Sequence, residues 1–219
     1  MKEYYQIAID GPSGAGKSTV AKAVAGRLGA EYIDTGAMYR AVGYKMAANG
    51  IGMGDAEGLE AMLADTEIDF AHGKVMLDGI DISGGIRTEA ISKMASDCSA
   101  IPAVREKLVA LQRAMGDKKN VVMDGRDIGS NVFPDARFKF YLTASPEERA
   151  RRRYLEMKEG GADVGYGQVL ADIEARDFND SSRELNPLAV SEDAVVIDST
   201  DMSAAEVADR IIMIVGKGG

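Results

Sequence analysis

Apolar and polar residues follow two alternating patterns along the chain. Short apolar runs predict buried strands, and the longer stretches between them repeat their apolar residues with the period of a helix. The predicted strands cover residues 4–10, 30–34, 120–124, 138–142 and 194–198, and the predicted helices cover residues 19–28, 37–48, 147–158, 166–183 and 204–215. This alternation favours an α/β fold with a doubly wound parallel sheet, in which ligands bind at the carboxyl ends of the strands.

Residues 66–85 interrupt this pattern. Residues 74–77 and 80–82 are mostly apolar, and the Asp78-Gly79 pair between them predicts a β-hairpin. Helical patterns flank this region at residues 55–65, 86–95 and 104–115. Because an antiparallel hairpin does not belong in a parallel sheet, we expect an inserted subdomain here.

Composition narrows the class of protein. The chain has 219 residues, of which 46% are hydrophobic and 28% charged, as in one large globular domain with small insertions. No apolar run reaches the roughly 18 residues of a transmembrane helix, and no basic and apolar signal region precedes the first strand. We therefore expect a cytoplasmic protein. The net charge of −9 argues against binding to nucleic acid or to a membrane surface.

Cysteine and histidine offer little chemistry. Cys98 is the single cysteine, so an internal disulfide and a cysteine-based zinc site are excluded. We expect Cys98 to be a small core residue. His72 is the single histidine, and its place in the hairpin region predicts an exposed loop residue without a catalytic role.

Gly11 to Ser18 read Gly-Pro-Ser-Gly-Ala-Gly-Lys-Ser, the P-loop pattern, between a predicted strand and a predicted helix. The glycines allow backbone N–H groups to converge on phosphate oxygens, and the helix that begins near Gly16 adds its positive dipole end. Lys17 can reach the β- and γ-phosphates, and Ser18 can offer its hydroxyl to Mg²⁺. A glycine-rich turn that binds nothing is the alternative, which the flanking elements disfavour. The expected ATP-binding residues are Gly11, Pro12, Ser13, Gly14, Ala15, Gly16, Lys17, Ser18 and Thr19.

A second motif, Asp124-Gly-Arg-Asp127, follows the strand predicted at residues 120–124. Asp124 can hold Mg²⁺ through water, as a Walker-B acid does. Arg126 can clamp a phosphate with two parallel N–H bonds, and Asp127 can accept a hydrogen bond from a substrate N–H. The alternative is a glycine turn with a surface Arg–Asp pair, which would contribute little.

Arg149, Arg152 and Arg153 lie on one side of a predicted helix. They either form a solvated face, with nearby glutamates compensating their charge, or belong to a lid over residues 149–165 that closes over the donor phosphates. The P-loop favours the lid, and we expect all three arginines to contact ATP.

Arg176, Asp180 and Arg183 share one face of the next predicted helix. They form either a ladder of ion pairs or part of the site. The sequence carries no Ser–His–Asp or His–Cys set. An alcohol acceptor needs a positioned base, whereas a phosphate acceptor is already ionised and needs positive charge. The surplus of arginines therefore favours transfer of a phosphoryl group onto another phosphate.

Taken together and in order, several motifs resemble bacterial cytidylate kinase. They are Ile9–Ser18, Asp34–Arg40, Ile86–Thr88, Val104–Arg105, Asp124–Gly129, Phe133–Asp135 and Asp198–Thr200. The resemblance runs from about residue 5 to about residue 200 and implies transfer of the ATP γ-phosphate to CMP or dCMP. It also implies a P-loop core, a nucleoside-monophosphate-binding insert and a short lid. We place the core at residues 1–36 and 96–219, the insert with its hairpin at 37–95, and the lid at 149–165.

The resemblance also implies roles for individual residues. Lys17, Arg126, Arg176 and Arg183 would be catalytic, and Arg40 with Arg126 would hold the CMP phosphate. The substrate-binding residues would be Thr35, Arg40, Ser96, Arg105, Asp124, Arg126, Asp127 and Asp180, with Asp180 near the ribose hydroxyls. Ser96, Arg105 and Asp127 would contact the cytosine. Uracil reverses donor and acceptor on the base edge, so these groups would discriminate strongly against it.

The implied ligands are ATP, CMP and dCMP, with Mg²⁺ held by Ser18 and, through water, by Asp124. We expect no nucleic acid or membrane partner, and a monomer. Two other functions stay open on sequence alone. One is a P-loop kinase for a small alcohol, with Asp124 or Asp127 as base. The other is a nucleotide-switch binding protein, although the Asn-Lys-x-Asp guanine motif is absent from the sequence.

Overall fold

Strands and helices alternate along most of the chain in the computed structural model, which describes residues 4–71 and 73–217. His72, expected in an exposed loop, lies outside the described residues. The strands are β1 (Gln6–Asp10), β2 (Glu31–Asp34), β3 (Ile68–Ala71), β4 (Lys74–Leu77), β5 (Ile80–Asp81), β6 (Val121–Gly125), β7 (Phe138–Thr143) and β8 (Val195–Asp198). The helices are α1 (Lys17–Leu28), α2 (Thr35–Asn49), α3 (Ala56–Ala64), α4 (Glu89–Cys98), α5 (Pro102–Gly116), α6 (Pro146–Glu159), α7 (Tyr166–Ser182) and α8 (Ala204–Lys217), with a π-helix at Ile128–Val132.

The main sheet has five strands in the order β2-β6-β1-β7-β8. β1 pairs in parallel with both β6 and β7, and β8 extends the sheet in parallel beyond β7. All five residues of β1 are buried, which explains the apolar residues at its centre; the polar Gln6 and Asp10 stand at its ends. The α/β class and the parallel sheet expected from the sequence are confirmed.

Helices α1 and α8 pack against this sheet. Val20 and Val24 of α1 and Ile211 of α8 are fully or almost fully buried together with Phe140 and Ile197 of the sheet. Full burial of such a side chain stabilises the fold by about 1.5–3 kcal/mol. Packing of α1 against the sheet fixes the direction in which the helix leaves β1, and so fixes the loop between them.

The chain divides into two compact units. The first comprises the residues up to Tyr32 and those from Lys119 onward, and the second comprises residues 33–118. The sequence-based division placed the end of the insert at residue 95. The structure instead groups α5 with the second unit, because α5 packs against α2 and α3.

In the second unit, α2 packs against α4, and β3, β4 and β5 form an antiparallel sheet. The β4–β5 hairpin turns at Asp78 and Gly79, whose φ angles of 50° and 79° match the Asp-Gly preference of such turns. β3 was not predicted, because its four residues carry little pattern. The helix expected at residues 86–95 begins three residues later, where the Thr88 hydroxyl accepts from the Ile91 N–H at 3.3 Å.

Cys98, at the end of α4, is a fully buried free cysteine, as expected. Its burial raises the pKa of the thiol to about 12, so the side chain behaves as a small apolar group. In the first unit, α6 and α7 pack around Ala150, Val169 and Ile173. No helix among residues 4–71 and 73–217 is long and apolar enough to cross a membrane.

Candidate active site

The P-loop connects β1 to α1 in the first unit. Gly11, Gly14 and Gly16 have φ angles of 147°, 75° and 87°, a region that residues with a Cβ rarely adopt. A Cβ on Gly11 would overlap the backbone carbonyl oxygen of Leu142 on β7. No side chain caps the N-terminus of α1, so its first N–H groups stay available to a ligand. The loop thus has the glycine geometry and free donors that a phosphate cradle needs.

Lys17 is buried at the start of α1, where its Nζ donates to the Pro12 carbonyl oxygen at 2.7 Å. Burial lowers the pKa of Lys17 well below its ordinary value, and the positive charge of Arg126 lowers it further. Arg176 acts in the same direction, whereas Asp124 and Asp180 oppose the shift. Five candidate residues from the sequence therefore lie close enough to influence one another's charge. An anion bound among them would offset the repulsion between the three cations.

Asp124, on β6, is held from two sides. The Ser18 hydroxyl donates to its Oδ2 at 2.8 Å, and the Tyr32 hydroxyl donates to its Oδ1 at 2.9 Å. Ser18 and Asp124 offer the hard oxygen atoms that Mg²⁺ prefers. Among the residues that the structure describes, no three His, Cys, Asp or Glu side chains form a metal cluster. A metal here would therefore rely on nucleotide phosphates and water for its other ligands.

Arg126, two residues beyond Asp124, donates its Nε proton to Asp180 Oδ2 at 2.6 Å. Burial raises the pKa of Asp180, whereas the charge and hydrogen bond of Arg126 lower it. Arg176 and Arg183 add to the lowering, so the pKa of Asp180 lies below its ordinary value. Arg176 and Asp180 of α7, with Arg183 directly after the helix, thus form a charged cluster with Arg126.

Asp127 is buried at the start of the π-helix. Its Oδ2 accepts from Asn131 Nδ2 at 3.1 Å, and its Oδ1 lies 3.7 Å from Arg183 Nη2. Arg183 also donates its Nε proton to the Asn186 carbonyl oxygen at 2.8 Å. Asp127 is therefore a buried acceptor with a fixed orientation.

The three arginines of α6 have different surroundings. Arg149 is buried and pairs with Asp177 at 2.6 Å, and its Nη1 donates to the P-loop carbonyl oxygen of Ser13 at 3.0 Å. Arg152 pairs with Glu148 at 2.8 Å, and its Nη1 lies 3.8 Å from where a Cβ on Gly16 would be.

Arg153 is exposed and pairs with Glu156 at 2.8 Å. Arg149 and Arg152 therefore lie beside the P-loop, whereas Arg153 has only its glutamate partner among the ion pairs of the described chain. The glutamates of α6 compensate two of the three charges, as the solvated-face alternative describes, whereas the contacts of Arg149 and Arg152 beside the P-loop are compatible with the lid.

The second unit carries the other predicted residues. The Asp34 carboxylate caps α2 by accepting from the Ala37 N–H at 2.8 Å, and it pairs with Arg40 at 3.1 Å and with Arg87 at 3.4 Å. The Nε of Arg40 is buried without a hydrogen-bond partner in the described chain. A buried donor of this kind is suited to an anionic ligand.

Thr35 is the first residue of α2 and is buried. Ser96 lies on α4, and Arg105 is buried on α5, where its Nη1 donates to the Ser99 carbonyl oxygen at 3.4 Å. Sequence reasoning did not select Tyr32, whose hydroxyl donates to Asp124, or Asp34, which pairs with Arg40. For Asp34 the signal was present, because an aspartate that ends a strand and precedes a helix is a preferred cap.

The strand–loop–helix cradle and the aspartate on the adjacent strand define a P-loop nucleotide-binding domain. A family model described as cytidylate kinase matches residues 7–217. The chain belongs to the cytidylate kinase family.

Individual comparisons agree with this assignment. A cytidylate kinase from Caldanaerobacter subterraneus is 51% identical over 212 residues, which cover 97% of this chain and 95% of the relative. One from Desulforamulus reducens is 51% identical over 221 residues and is matched over its whole length. An uncharacterized protein from Eubacterium ventriosum has a solved structure with a TM-score of 0.56 at 13% identity, covering 98% of this chain and 99% of that one. This last likeness is one of fold alone.

Proposed function

We propose that the protein transfers the γ-phosphoryl group of ATP to CMP or dCMP, which yields ADP and CDP or dCDP. The observation that carries the proposal is the cluster of cations at the P-loop: buried Lys17 with the half-buried Arg126 and Arg176. Such a cluster suits a transition state whose charge lies on phosphoryl oxygens. The near-full-length identity to named cytidylate kinases supports the choice of acceptor.

The donor side consists of the P-loop amides, Lys17, Ser18 and Thr19. In this proposal Lys17 exchanges the Pro12 carbonyl oxygen for the β- and γ-phosphates, which restores a favourable environment for its charge. Arg149 and Arg152 contribute beside the loop, and Arg153 joins them only if its pair with Glu156 opens. Ser18 and Asp124 would hold Mg²⁺, which neutralises phosphate charge when it is bound.

The acceptor phosphate is already ionised at neutral pH, so no base needs to deprotonate it. On the second unit, Arg40 is proposed to bind that phosphate through its unpartnered Nε. On the first unit, Arg126 contributes, with Arg176 and Arg183 stabilising the group in transfer. Thr35 and Asp180 complete the proposed contacts to the nucleotide.

Cytosine is proposed to be selected by Asp127, Ser96 and Arg105. Asp127 is a buried acceptor, and the N4 amino group of cytosine is a donor. Uracil has an acceptor at that position, which would leave buried polar groups unpaired. A site built in this way can reject the wrong base by a factor on the order of 10⁴.

The proposal retains the other expectations from the sequence. The second unit acts as the nucleoside-monophosphate-binding part and residues 149–165 as a lid. The protein acts as a monomer in the cytoplasm, where its proposed substrates are found.

Product identification tests the reaction. The protein is incubated with CMP and ATP carrying a radiolabel on the γ-phosphate, and the products are separated by ion-exchange chromatography. Label in CDP, with an equal amount of ADP formed, supports the proposal. Label in inorganic phosphate alone would show hydrolysis, and retention of the label in ATP would leave a binding protein as the better description.

A further inference from the structure

Asp10, the last residue of β1, is buried, and both of its carboxylate oxygens accept hydrogen bonds from one distant turn. Oδ1 accepts from the Ile128 N–H at 2.8 Å, and Oδ2 accepts from the Gly129 N–H at 2.7 Å. These are the first two N–H groups of the π-helix. Such groups have no acceptor within their own helix, and the preceding Asp127 provides no side-chain cap. Asp10 therefore supplies the missing acceptors from a neighbouring strand.

The π-helix that Asp10 anchors also sets the orientation of Asp127. The helix begins directly after Asp127, whose carbonyl oxygen accepts from the Asn131 and Val132 N–H groups at 2.9 and 3.2 Å. From the same helix, Asn131 Nδ2 holds the Asp127 carboxylate at 3.1 Å. Both the backbone and the side chain of Asp127 are thus fixed by a turn that is tied to Asp10.

Only a carboxylate can make both contacts. It presents two acceptor oxygens, whereas an asparagine amide would direct its own N–H₂ group at one of the two backbone donors. The carboxylate is kept despite the cost of burial, which raises the pKa of Asp10 to about 6 even though both N–H bonds lower it. π-Helical turns occur frequently at functional sites, where they set the direction of a side chain.

We infer that Asp10 is a positioning residue for base selection: by fixing the turn at Ile128 and Gly129 it orients Asp127 toward the acceptor base. The inference rests on the proposed function, in which Asp127 accepts from the N4 amino group of cytosine. It assigns Asp10 to the acceptor side, although in sequence Asp10 directly precedes the P-loop that binds the donor.

The test compares Asp10→Asn and Asp10→Ser with the unchanged protein in steady-state kinetics. Asp10→Ser keeps a single acceptor in a smaller volume. We expect the ratio of kcat/KM for CMP to that for UMP to fall by at least about tenfold in both variants, while KM for ATP changes by less than about twofold. Asp127→Asn serves as the reference, because it removes the proposed acceptor of the amino group directly.

A second readout does not depend on activity. Amide hydrogen exchange, followed by NMR, reports whether Ile128 and Gly129 lose protection in the Asp10 variants. Loss of protection at these amides, with unchanged protection in α8, supports the inferred contact. Failure of both variants to fold, or an equal fall of kcat/KM for CMP and UMP, would make Asp10 a purely structural residue and overturn the inference. If the unchanged protein phosphorylates no nucleotide, the proposed function fails, whatever the exchange data show.

Discussion

Arg126 donates its Nε proton to Asp180 at 2.6 Å, and both side chains are largely buried, with 18% and 11% of their surface exposed. The pair joins the loop after β6 to α7. Since a buried charge without its partner costs several kcal/mol, Asp180 keeps Arg126 in a defined place before any nucleotide arrives. The Nη groups of the same guanidinium are the ones that can bind a phosphate in two parallel bonds.

Replacing Arg126 tests this role. We expect Arg126→Ala to lower kcat/KM for CMP by a factor on the order of 10², because a donor to the reacting phosphates is lost and Asp180 is left unpaired. Arg126→Lys keeps the charge without the forked geometry, so its kcat/KM for CMP should lie between the values of the unchanged protein and Arg126→Ala. Arg27→Ala, which removes a surface pair with Asp209, is the matched control. Steady-state kinetics that do not distinguish Arg126→Ala from this control would remove Arg126 from the site.

Removing the hydroxyl oxygen of Tyr32 tests whether this residue orients Asp124. Tyr32→Phe leaves Asp124 without the hydroxyl that donates to its Oδ1. We expect the Mg²⁺ concentration for half-maximal activity to rise and kcat/KM for ATP to fall by about tenfold or more, since a hydrogen bond to a charged group contributes about 1.5–3 kcal/mol. The free energy of unfolding, measured in urea, should fall as well.

Tyr5→Phe is the control for this variant, because the Tyr5 hydroxyl donates to the Leu28 carbonyl oxygen, at 3.4 Å, and not to Asp124. Equal Mg²⁺ dependence in the two variants would show that Tyr32 does not orient Asp124.

The glycines of the P-loop give a prediction about stability. Gly11→Ala places a Cβ on the carbonyl oxygen of Leu142 at a φ angle of 147°, so we expect the free energy of unfolding to fall by at least about 3 kcal/mol. Gly26→Ala adds the same methyl group inside α1, where it would meet no atom within 4 Å beyond the backbone of its own helix and its chain neighbours, and should raise the free energy of unfolding by about 0.5–1 kcal/mol. Urea titrations of the two variants check both signs. Similar stability for both would contradict the close approach of Gly11 to β7.

Asp10 makes stability depend on pH. Its pKa is about 6 in the folded protein because of burial, and lower when the chain unfolds, so the folded state binds a proton that the unfolded state does not. Stability from this group therefore increases as the pH falls from about 7 to about 3. The shift corresponds to about 3 kcal/mol. The difference in the free energy of unfolding between the unchanged protein and Asp10→Asn should therefore grow by this amount as the pH falls over that range. A difference that stays constant with pH would contradict the raised pKa.

Local pattern was sufficient for much of the fold. β1 and β6 are buried strands and β7 and β8 are short apolar runs, all of which the sequence marks clearly, and the glycine spacing of the P-loop reflects φ angles that the structure contains. The π-helix escaped prediction, because its five residues are too few to show a period. The start of α4 was predicted three residues too early, because an apolar residue just before the Thr88 cap fits the helical pattern.

The contacts that complete the site join residues that are far apart in the sequence. Tyr32 and Asp124 are 92 residues apart, and Asp10 and Gly129 are 119 apart, so no spacing rule relates them. The arginines of α6 could be predicted to share a helix side, and Glu148 and Glu156 lie within one helical turn of Arg152 and Arg153. The contacts of Arg149 with Asp177 and with the Ser13 carbonyl oxygen, in contrast, depend on tertiary packing. Sequence therefore selected the candidate cationic and phosphate-binding residues, and the structure shows which side chains orient them.

The most direct measurement of the proposed function is a coupled assay of ADP release with Mg²⁺ and ATP, offering CMP, dCMP, UMP, AMP, GMP and shikimate one at a time. Rapid ADP release with CMP and dCMP, and little with the other four, is the predicted result. Release with UMP at a rate equal to that with CMP would contradict the role of Asp127, Ser96 and Arg105. Release with shikimate alone would contradict the proposed acceptor and favour a kinase that acts on an alcohol.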